Sequence, residues 1–291
     1  MQPYSPGKPM DEVRRELGLT EVVKLASNEN PLGPSPKAIE AVRAAAADMH
    51  LYPDASGYAL REALSKHLGI SANQILLGNG SDELLHLLGI VFLDGPEDEI
   101  VVGDPSFVRY DASAQIAGSR LVKVPVTSDY RLDADAMARA ITPRTRLVFL
   151  ANPNNPTGTV NTRDEVERLL EALPAGAALV LDEAYFEFAT DAPDYPDALA
   201  LVQSGRPVIA LRTFSKTYGL AGIRVGYGFA SPEVADALNR AREPFNVNSL
   251  AQVAAIAALE DRAHIERTVA HNAAQRDRLS EAFRRHGFKP V

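Results

Sequence analysis

Short apolar runs alternate with helical patterns along most of this chain, and that alternation limits its fold more than any other feature. From about residue 70 onward, runs rich in Val, Ile and Leu are separated by segments in which apolar residues recur at helical spacing. Such alternation is typical of α/β proteins that have a mostly parallel sheet between helices. Strands are predicted at residues 74–77, 99–102, 120–124, 146–150, 177–181, 207–211 and 224–229.

Helix starts between these strands are marked by capping signals. Ser35 precedes Pro36, which suits an N-cap followed by proline at the first helical position, and Thr162 with Glu165 fits a capping box. Beyond Ser231 the strand patterns stop. Apolar residues at helical spacing then continue at positions 250, 253, 256 and 259.

The pattern divides the chain into three regions. Residues 1–34 are rich in Pro and Gly and predict an extended N-terminal arm that lies on another surface, such as a second subunit. Residues 35–240 are expected to form the large domain. Residues 241–291 are expected to form connecting helices.

Charge and composition exclude several classes of function. The chain has 291 residues and a net charge of -8, without the clustered Lys and Arg that a nucleic-acid surface requires. It contains no cysteine, so neither a disulfide framework nor a thiolate metal site is expected, and no metal is predicted. The N-terminus lacks the apolar core of a signal peptide, and the most apolar stretch, residues 84–93, is too short to cross a membrane. We therefore expect a cytoplasmic enzyme that acts on small molecules.

Four polar motifs follow predicted strands. In an open α/β sheet the carboxyl ends of parallel strands face one crevice, so all four motifs are expected to meet at one ligand. The motifs are Gly-Asn-Gly-Ser-Asp-Glu at 78–83, Asn-Pro-Asn-Asn-Pro-Thr-Gly at 152–158, Asp-Glu-Ala-Tyr at 182–185, and Ser-Lys-Thr-Tyr-Gly-Leu-Ala-Gly-Ile-Arg at 215–224.

Each motif alone also has an ordinary structural explanation. The glycines at 78 and 80 suit a tight turn before an N-capped helix, and Asn155 before proline suits a turn. Asp182 alone is compatible with an N-cap, and a single lysine such as Lys216 is usually a solvated surface residue. The functional interpretation therefore depends on the combination.

Together the motifs predict a site for pyridoxal 5'-phosphate (PLP). The helix start at Gly80, Ser81 and Asp82, joined by Ser215 and Arg224, would bind a phosphate dianion. Helix N-termini and guanidinium groups both favour that charge.

The remaining motif residues suit the reactive part of the same cofactor. Lys216 would form a Schiff base with the aldehyde, and Asp182 would hold the pyridine nitrogen protonated. A charge pair at about 4 Å, with an effective dielectric near 20, is worth about 4 kcal/mol, or about three pKa units. Asn155 and Tyr185 would hydrogen-bond the phenolic oxygen of the ring.

In order and spacing, these motifs resemble fold-type I aminotransferases, and specifically the histidinol-phosphate aminotransferase family. Three further segments strengthen the resemblance, which extends from end to end of the chain. They are Leu-Ala-Ser-Asn-Glu-Asn-Pro-Leu-Gly-Pro-Ser-Pro at 25–36, Leu-Tyr-Pro-Asp at 51–54, and Pro-Phe-Asn-Val-Asn-Ser at 244–249.

The resemblance implies roles for five more residues. Phe107 would stack on the pyridine ring, in a position where the family commonly has tyrosine or tryptophan. Tyr52 would reach the cofactor phosphate of the partner subunit in a homodimer. Tyr4, Asn30 and Asn246 would lie near the substrate. Without the family pattern, these aromatic residues would be interpreted as ordinary core or arm residues.

The implied activity is transamination of L-histidinol phosphate, with 2-oxoglutarate as the acceptor, in histidine biosynthesis. Compared with the family, the sequence stops at Val291, before the strands of the small domain and the substrate-binding arginines. The resemblance therefore implies that residues 241–291 hold connecting helices and the start of an incomplete small domain, which the two terminal segments build together. The chain is therefore expected to bind PLP better than it turns over substrate. The apolar positions Ile265, Val269, Leu279 and Phe283 are expected to be partly exposed.

Other functions remain compatible with the motifs. A threonine-phosphate decarboxylase or an aromatic aminotransferase shares much of the pattern, and a non-catalytic PLP-binding fragment would retain the scaffold. A nucleotide-binding Rossmann protein fits less well, because no strand ends in G-x-G-x-x-G and Lys216 would have no role.

Overall fold

A computed structural model describes residues 7–291, and all seven predicted strands are present. The last strand begins two residues later than expected, because Arg224 has a left-handed backbone (φ 62°) that cannot continue a strand. The prediction of an α/β fold with a mostly parallel sheet is confirmed. The strands are β1 (Ile75–Gly78), β2 (Glu99–Asp104), β3 (Arg120–Pro125), β4 (Thr145–Ala151), β5 (Ala178–Asp182), β6 (Val208–Thr213) and β7 (Gly226–Phe229).

The strands form one sheet in the order β1-β7-β6-β5-β4-β2-β3. Strands β2 to β6 pair in parallel, whereas β7 runs antiparallel to both of its neighbours, β1 and β6. An antiparallel strand begins at the edge where its neighbours end. The residues before β7 therefore meet the residues after β1, β2, β4, β5 and β6 at one edge of the sheet.

Helices cover both faces of the sheet, which buries the central strands completely. Successive side chains of β4 point to opposite faces: Leu147 and Phe149 pack under α4, α5 and α9, whereas Val148 and Leu150 pack against the other layer. The helices are α1 (Met10–Leu17), α2 (Pro36–Ala45), α3 (Tyr58–Leu68), α4 (Ser81–Phe92), α5 (Arg109–Ala117), α6 (Ala134–Ala140), α7 (Arg163–Ala172), α8 (Ala198–Gln203), α9 (Pro232–Ala241), α10 (Ser249–Leu259) and α11 (Arg262–Arg285).

Both capping signals found in the sequence start helices. The Ser35 hydroxyl accepts from the Ala38 N–H at 3.3 Å, directly before α2. Thr162 and Glu165 exchange hydrogen bonds at the start of α7, at 2.7 and 3.4 Å. Each pair satisfies backbone donors that the first helical turn leaves without an internal partner.

The N-terminal arm differs from the extended chain that the sequence predicts. Residues 10–17 form helix α1, which has acidic residues in its first turn and basic residues in its last, an arrangement that the helix dipole favours. No residue of α1 is buried, and Val23 and Leu25 in the following segment are also exposed. Tyr4 lies outside the described residues.

The last two helices pack unequally. In α10 the buried face is mostly alanine, and the predicted apolar positions Val253 and Ile256 are only half-buried. In α11, Leu279 and Phe283 are 49% and 50% exposed, and Ile265 and Val269 are half-buried, which confirms the predicted partial exposure. Within residues 7–291, no helix combines the length and the apolar character needed to cross a membrane.

Candidate active site

A cavity of about 620 Å³ opens at the edge where the strand ends meet. It draws together residues from all four polar motifs and from the 105–107 turn after β2. The cavity is lined by Ser27, Asn28, Glu29, Ser81, Asp82, Phe107, Tyr110, Ala151, Pro153, Asn155, Asp182, Ala184, Tyr185, Thr213, Ser215, Lys216, Ala221 and Arg224.

Asp182 lies at the base of the cavity, as the last residue of β5. It is only 4% exposed, and burial raises the pKa of its carboxyl group from 3.8 to about 6. One oxygen accepts from the Tyr110 hydroxyl at 2.7 Å, and the other accepts from the Ala184 N–H at 3.2 Å. Both donors are neutral, so a cationic group facing this carboxylate would add a charge-assisted bond.

Lys216 follows β6 and reaches into the same cavity. Its ammonium group donates to the carbonyl oxygen of Ser27 at 3.2 Å and lies 5.5 Å from the centre of the Tyr185 ring. Burial lowers the pKa of Lys216, with the positive charge of Arg224 acting in the same direction and nearby carboxylates opposing it. A lowered pKa increases the neutral fraction of the amine, which is its nucleophilic and basic form.

The opposite end of the cavity is built around the start of α4. Gly80 is the N-cap residue, and among residues 7–291 no side chain caps this helix, so the first-turn N–H groups are available to an anion. Gly226 in β7 packs directly behind: a methyl group there would lie 2.5 Å from the Ser81 nitrogen. Glycine at position 226 therefore lets the strand approach the helix start closely.

Arg224 lies over this helix start. Its guanidinium is 3.8 Å from the Asp82 carboxylate and donates to the Ala221 carbonyl at 2.9 Å. A side chain at position 80 would meet that guanidinium, because a methyl group on Gly80 would lie 2.3 Å from Arg224 Nη2. The left-handed backbone of Arg224 is strained for a residue other than glycine, and such strain is concentrated at functional sites.

Ser215 completes the anion end of the cavity. It is 7% exposed, and its hydroxyl accepts from the Thr213 hydroxyl at 2.9 Å. The Ser215 N–H donates in turn to the Thr213 oxygen at 3.1 Å. These two bonds hold the hydroxyl of Ser215 at the cavity wall.

Aromatic side chains form another wall. Phe107 makes an edge contact with Tyr110, with ring centres 5.8 Å apart, and Tyr110 stacks on Phe149 at 4.7 Å. Tyr185 accepts from the Asn28 side-chain amide at 2.9 Å. Burial raises the pKa of Tyr185, which keeps its hydroxyl neutral.

Nine residues of the cavity lining are not among those that the sequence predicts for the site, and three of them, Tyr110, Thr213 and Asn28, hydrogen-bond predicted site residues. Tyr110 lies three residues after Phe107, at the start of a helical segment. This helical spacing is the only sequence signal that the two side chains share a face. Thr213 lies just beyond the predicted strand at 207–211 and carries no signal of its own. Asn28 belongs to a motif that supports the resemblance, but nothing local indicates a bond to Tyr185.

Four predicted site residues in the described part of the chain lie outside this cavity lining, and the first, Gly80, directly precedes the lining residue Ser81. Tyr52 is 83% exposed and stacks on Phe245. Asn30 lines a neighbouring cavity of about 860 Å³ and donates to the Thr217 carbonyl at 3.0 Å. Asn246 bonds to Glu83, next to the helix start rather than in the cavity. The cavity that holds Asp182 therefore contains neither Asn30 nor Asn246, although Asn30 lines the neighbouring cavity together with Lys216.

The residues present fit PLP. The cavity offers a primary amine, a buried carboxylate, an aromatic face and an anion-binding end, which match the aldehyde, pyridine nitrogen, ring and phosphate of that cofactor. Among residues 7–291, no group of three or more His, Asp or Glu side chains is placed to hold a metal ion.

The fold and this site are those of an aminotransferase: the chain belongs to the aminotransferase class I and II family, whose model matches residues 20–291. The prediction that the chain is an aminotransferase enzyme is thereby confirmed.

Relatives place the chain more narrowly within that family. It is 53% identical to the histidinol-phosphate aminotransferase of Moorella thermoacetica, over all of this chain and 75% of that protein. It is 50% identical to the enzyme of the same name from Anaeromyxobacter sp., over 92% of this chain and 73% of that protein. The resemblance to histidinol-phosphate aminotransferases is confirmed.

Solved structures agree with the sequence relatives. The histidinol-phosphate aminotransferase of Sinorhizobium meliloti, in complex with PLP, superposes with a TM-score of 0.90 at 33% identity, covering 99% of this chain and 77% of that one. The aspartate aminotransferase of Thermus thermophilus with maleate gives a TM-score of 0.83 at 26% identity, covering 96% and 76%. The predicted fold-type I architecture is confirmed.

Proposed function

We propose that this enzyme transfers the amino group of L-histidinol phosphate to 2-oxoglutarate, giving imidazole acetol phosphate and glutamate, with PLP as its cofactor. The observation behind the proposal is the convergence of the Lys216 amine, the Asp182 carboxylate and the anion-binding helix start in one cavity. The relatives named histidinol-phosphate aminotransferase support the choice of substrate.

Each end of the cavity has a distinct task. PLP, when bound, supplies an aldehyde that condenses with amines and a ring that withdraws electrons. The α4 start, Ser215 and Arg224 would hold the phosphate and so fix the position of the cofactor. The buried carboxylate of Asp182 would stabilise a protonated ring nitrogen through its negative charge. Asn155 and Tyr185 are proposed to hydrogen-bond the phenolic oxygen, and Phe107 to stack on the ring.

Lys216 would be both the covalent attachment point and the proton carrier. Its neutral Nζ could accept a proton from the substrate carbon and donate it again in a later step. Burial favours this role, because it lowers the pKa of Lys216 and so increases the neutral form. The Ser27 carbonyl, 3.2 Å from Nζ, holds the freed amine inside the cavity.

Substrate choice is tested by comparing amino donors. Purified protein with PLP is mixed with 2-oxoglutarate and either L-histidinol phosphate, L-phenylalanine or threonine phosphate, and glutamate and CO₂ are measured. Glutamate formation fastest with histidinol phosphate is the expected result. CO₂ release from threonine phosphate would favour a decarboxylase, and faster turnover of phenylalanine an aromatic aminotransferase. Bound PLP without amine exchange would favour a non-catalytic fragment.

The chain is further proposed to work as a homodimer. Tyr52 is 83% exposed although it stacks on Phe245 at 4.7 Å, and three more large apolar side chains nearby in sequence are exposed. The three additional exposed side chains are those of Met49, Leu51 and Tyr58. Exposed apolar groups of this kind mark protein interfaces. In the proposed dimer, Tyr52 reaches the cofactor phosphate of the partner subunit.

Subunit complementation tests the shared site. Lys216→Ala and Tyr52→Ala chains are purified separately, then mixed under mild denaturant and refolded. A mixed dimer has one site with both Lys216 and Tyr52 intact, so activity should rise above that of either variant alone. A mixture no more active than the sum of its components would exclude the exchange of Tyr52 between subunits.

Location and domain boundaries complete the proposal. We place the enzyme in the cytoplasm, in keeping with a chain that has no cysteine. We also propose residues 1–34 as the arm, 35–240 as the PLP-binding large domain, and 241–291 as connecting helices and the start of the small domain. The proposed binding partners of the enzyme are an amine and a 2-oxo acid, and not a nucleic acid or a membrane.

A further inference from the structure

The carboxylate of Glu83 lies beside the phosphate end of the cavity but does not line it. Its Oε2 atom accepts two hydrogen bonds, from the backbone N–H of Asn79 at 2.6 Å and from the side-chain amide of Asn246 at 2.7 Å. Asn79 stands directly before Gly80, the N-cap residue of α4. Glu83 therefore ties the first turn of α4 back to the loop that leads into it.

Asn246 is fully engaged in this arrangement. Its amide nitrogen donates to Glu83 and also to the Leu77 carbonyl at 3.1 Å, and its amide oxygen accepts from Arg242 at 3.1 Å. An asparagine side chain has two N–H donors, and both are used here. Since no donor is left for a substrate, the contacts of Asn246 point to a structural task at the loop between β1 and α4.

We propose that Glu83 and Asn246 are positioning residues that hold the 78–81 loop in the geometry that binds the cofactor phosphate. The inference rests on the proposed PLP site. Leu77 and Asn79 are the two backbone positions that these side chains hold, one on each side of Gly78. The backbone on both sides of Gly78, which leads into the phosphate-binding helix turn, is thereby held by one pair of side chains.

A positioning role and a purely electrostatic role of Glu83 predict opposite changes in the affinity for phosphate when its carboxylate is removed. A carboxylate in the first turn of α4 repels a phosphate dianion bound at the same helix start, so removing its charge should strengthen phosphate binding. Loss of the two hydrogen bonds should instead loosen the loop and weaken binding. The direction of the change in affinity therefore separates a positioning role from a purely electrostatic one.

The experiment compares PLP with pyridoxal, which lacks the phosphate. Dissociation constants for both are measured by absorbance titration of the cofactor-free wild type, Glu83→Ala, Glu83→Gln and Asn246→Ala. Exposed Glu243 provides the matched control, Glu243→Gln, which removes a nearby charge outside the network. Hydrogen exchange at the Asn79 amide reports directly on the loop.

Glu83→Ala and Asn246→Ala should each weaken PLP binding about tenfold, as expected for the loss of a hydrogen bond to a charged group, with pyridoxal changed less than about twofold. Glu83→Gln keeps an acceptor oxygen and should retain most of the affinity. The double alanine variant should lose little more than either single variant, because both residues act on one loop. Exchange at Asn79 should accelerate in Glu83→Ala.

Tighter PLP binding by Glu83→Ala, or equal losses for PLP and pyridoxal, would overturn the inference. The inference would also be overturned if Glu243→Gln weakened PLP binding as much as Glu83→Ala does. A wild type that binds PLP no better than pyridoxal and forms no covalent link would instead refute the proposed PLP site itself. The two failures are therefore distinguishable within one set of titrations.

Discussion

Replacing Asp182 with asparagine is expected to stabilise the cofactor-free protein at neutral pH, although it removes a group that the reaction requires. The Asp182 carboxyl is buried, and burial raises its pKa from 3.8 to about 6. Folding therefore makes the charged form of this group less favourable. Asparagine has nearly the same shape and carries no charge, so it avoids that cost.

The sign and the magnitude follow from the shift in pKa. A carboxyl whose pKa is higher in the folded protein supports folding most at low pH, below 3.8, and that contribution is lost as the pH rises through about 6. At about 1.4 kcal/mol per pKa unit, the cost of the charged Asp182 is on the order of 1 kcal/mol at pH 4.5 and 3 kcal/mol at pH 7.5.

Asparagine also loses one contact. Its amide oxygen can still accept from the Tyr110 hydroxyl, but its NH₂ group then faces the Ala184 N–H, where the carboxylate accepted a bond at 3.2 Å. That loss costs about 1 kcal/mol. The net expectation for Asp182→Asn is little change at pH 4.5 and a gain of about 2 kcal/mol at pH 7.5.

Urea unfolding of the cofactor-free wild type and variant at the two pH values measures the effect. Asp261→Asn is the control of opposite sign, because a hydrogen bond from Ser35 lowers the pKa of Asp261. The stability from Asp261 is present above pH 3.8 and is lost as the pH falls, so its replacement should destabilise the protein at pH 7.5. An Asp182→Asn variant that gains nothing at pH 7.5, or gains equally at both pH values, would refute the reasoning.

Three further outcomes are expected. Borohydride reduction of the PLP-loaded protein should label Lys216, and Lys216→Ala should lose the covalent link; label on another lysine would contradict the assignment. Phe107→Leu should weaken PLP binding about fivefold, since an aromatic contact is worth about 1 kcal/mol, and an unchanged affinity in titration would exclude stacking. Gly80→Ala should weaken PLP binding tenfold or more, because alanine is strained at φ 77° and its methyl would lie 2.3 Å from Arg224 Nη2, and calorimetric titration measures that loss.

Local signals in the sequence were sufficient for the elements of the fold. The seven strands, the cap at Ser35 and the capping box at Thr162 depend on residues close together in the chain, so they can be identified without the tertiary structure. The arm is the exception. Its Pro and Gly content predicted an extended segment, but the run at 10–17 has enough helix-forming residues and suitable end charges to form α1.

The main residues of the site could also be predicted from the sequence. Lys216, Asp182 and Ser81 each lie at or just after the end of a strand, and strands of a parallel sheet end at one edge, so their convergence follows from the fold class. Arg224 was also predicted, as the end of the motif that follows β6, but the structure shows how it reaches the site, because it directly precedes β7. It joins the site only because β7 runs antiparallel and therefore begins where its neighbours end.

Local sequence patterns thus define the class of fold, the order of the strands along the chain and the motifs at their ends. Which distant side chains contact those motifs depends on how the chain folds in three dimensions. The Tyr110 hydroxyl bonds Asp182, 72 residues away, and Asn246 bonds Glu83, 163 residues away. Such pairings depend on the strand order in the sheet and on how each helix lies against it, and no local period or propensity encodes either property.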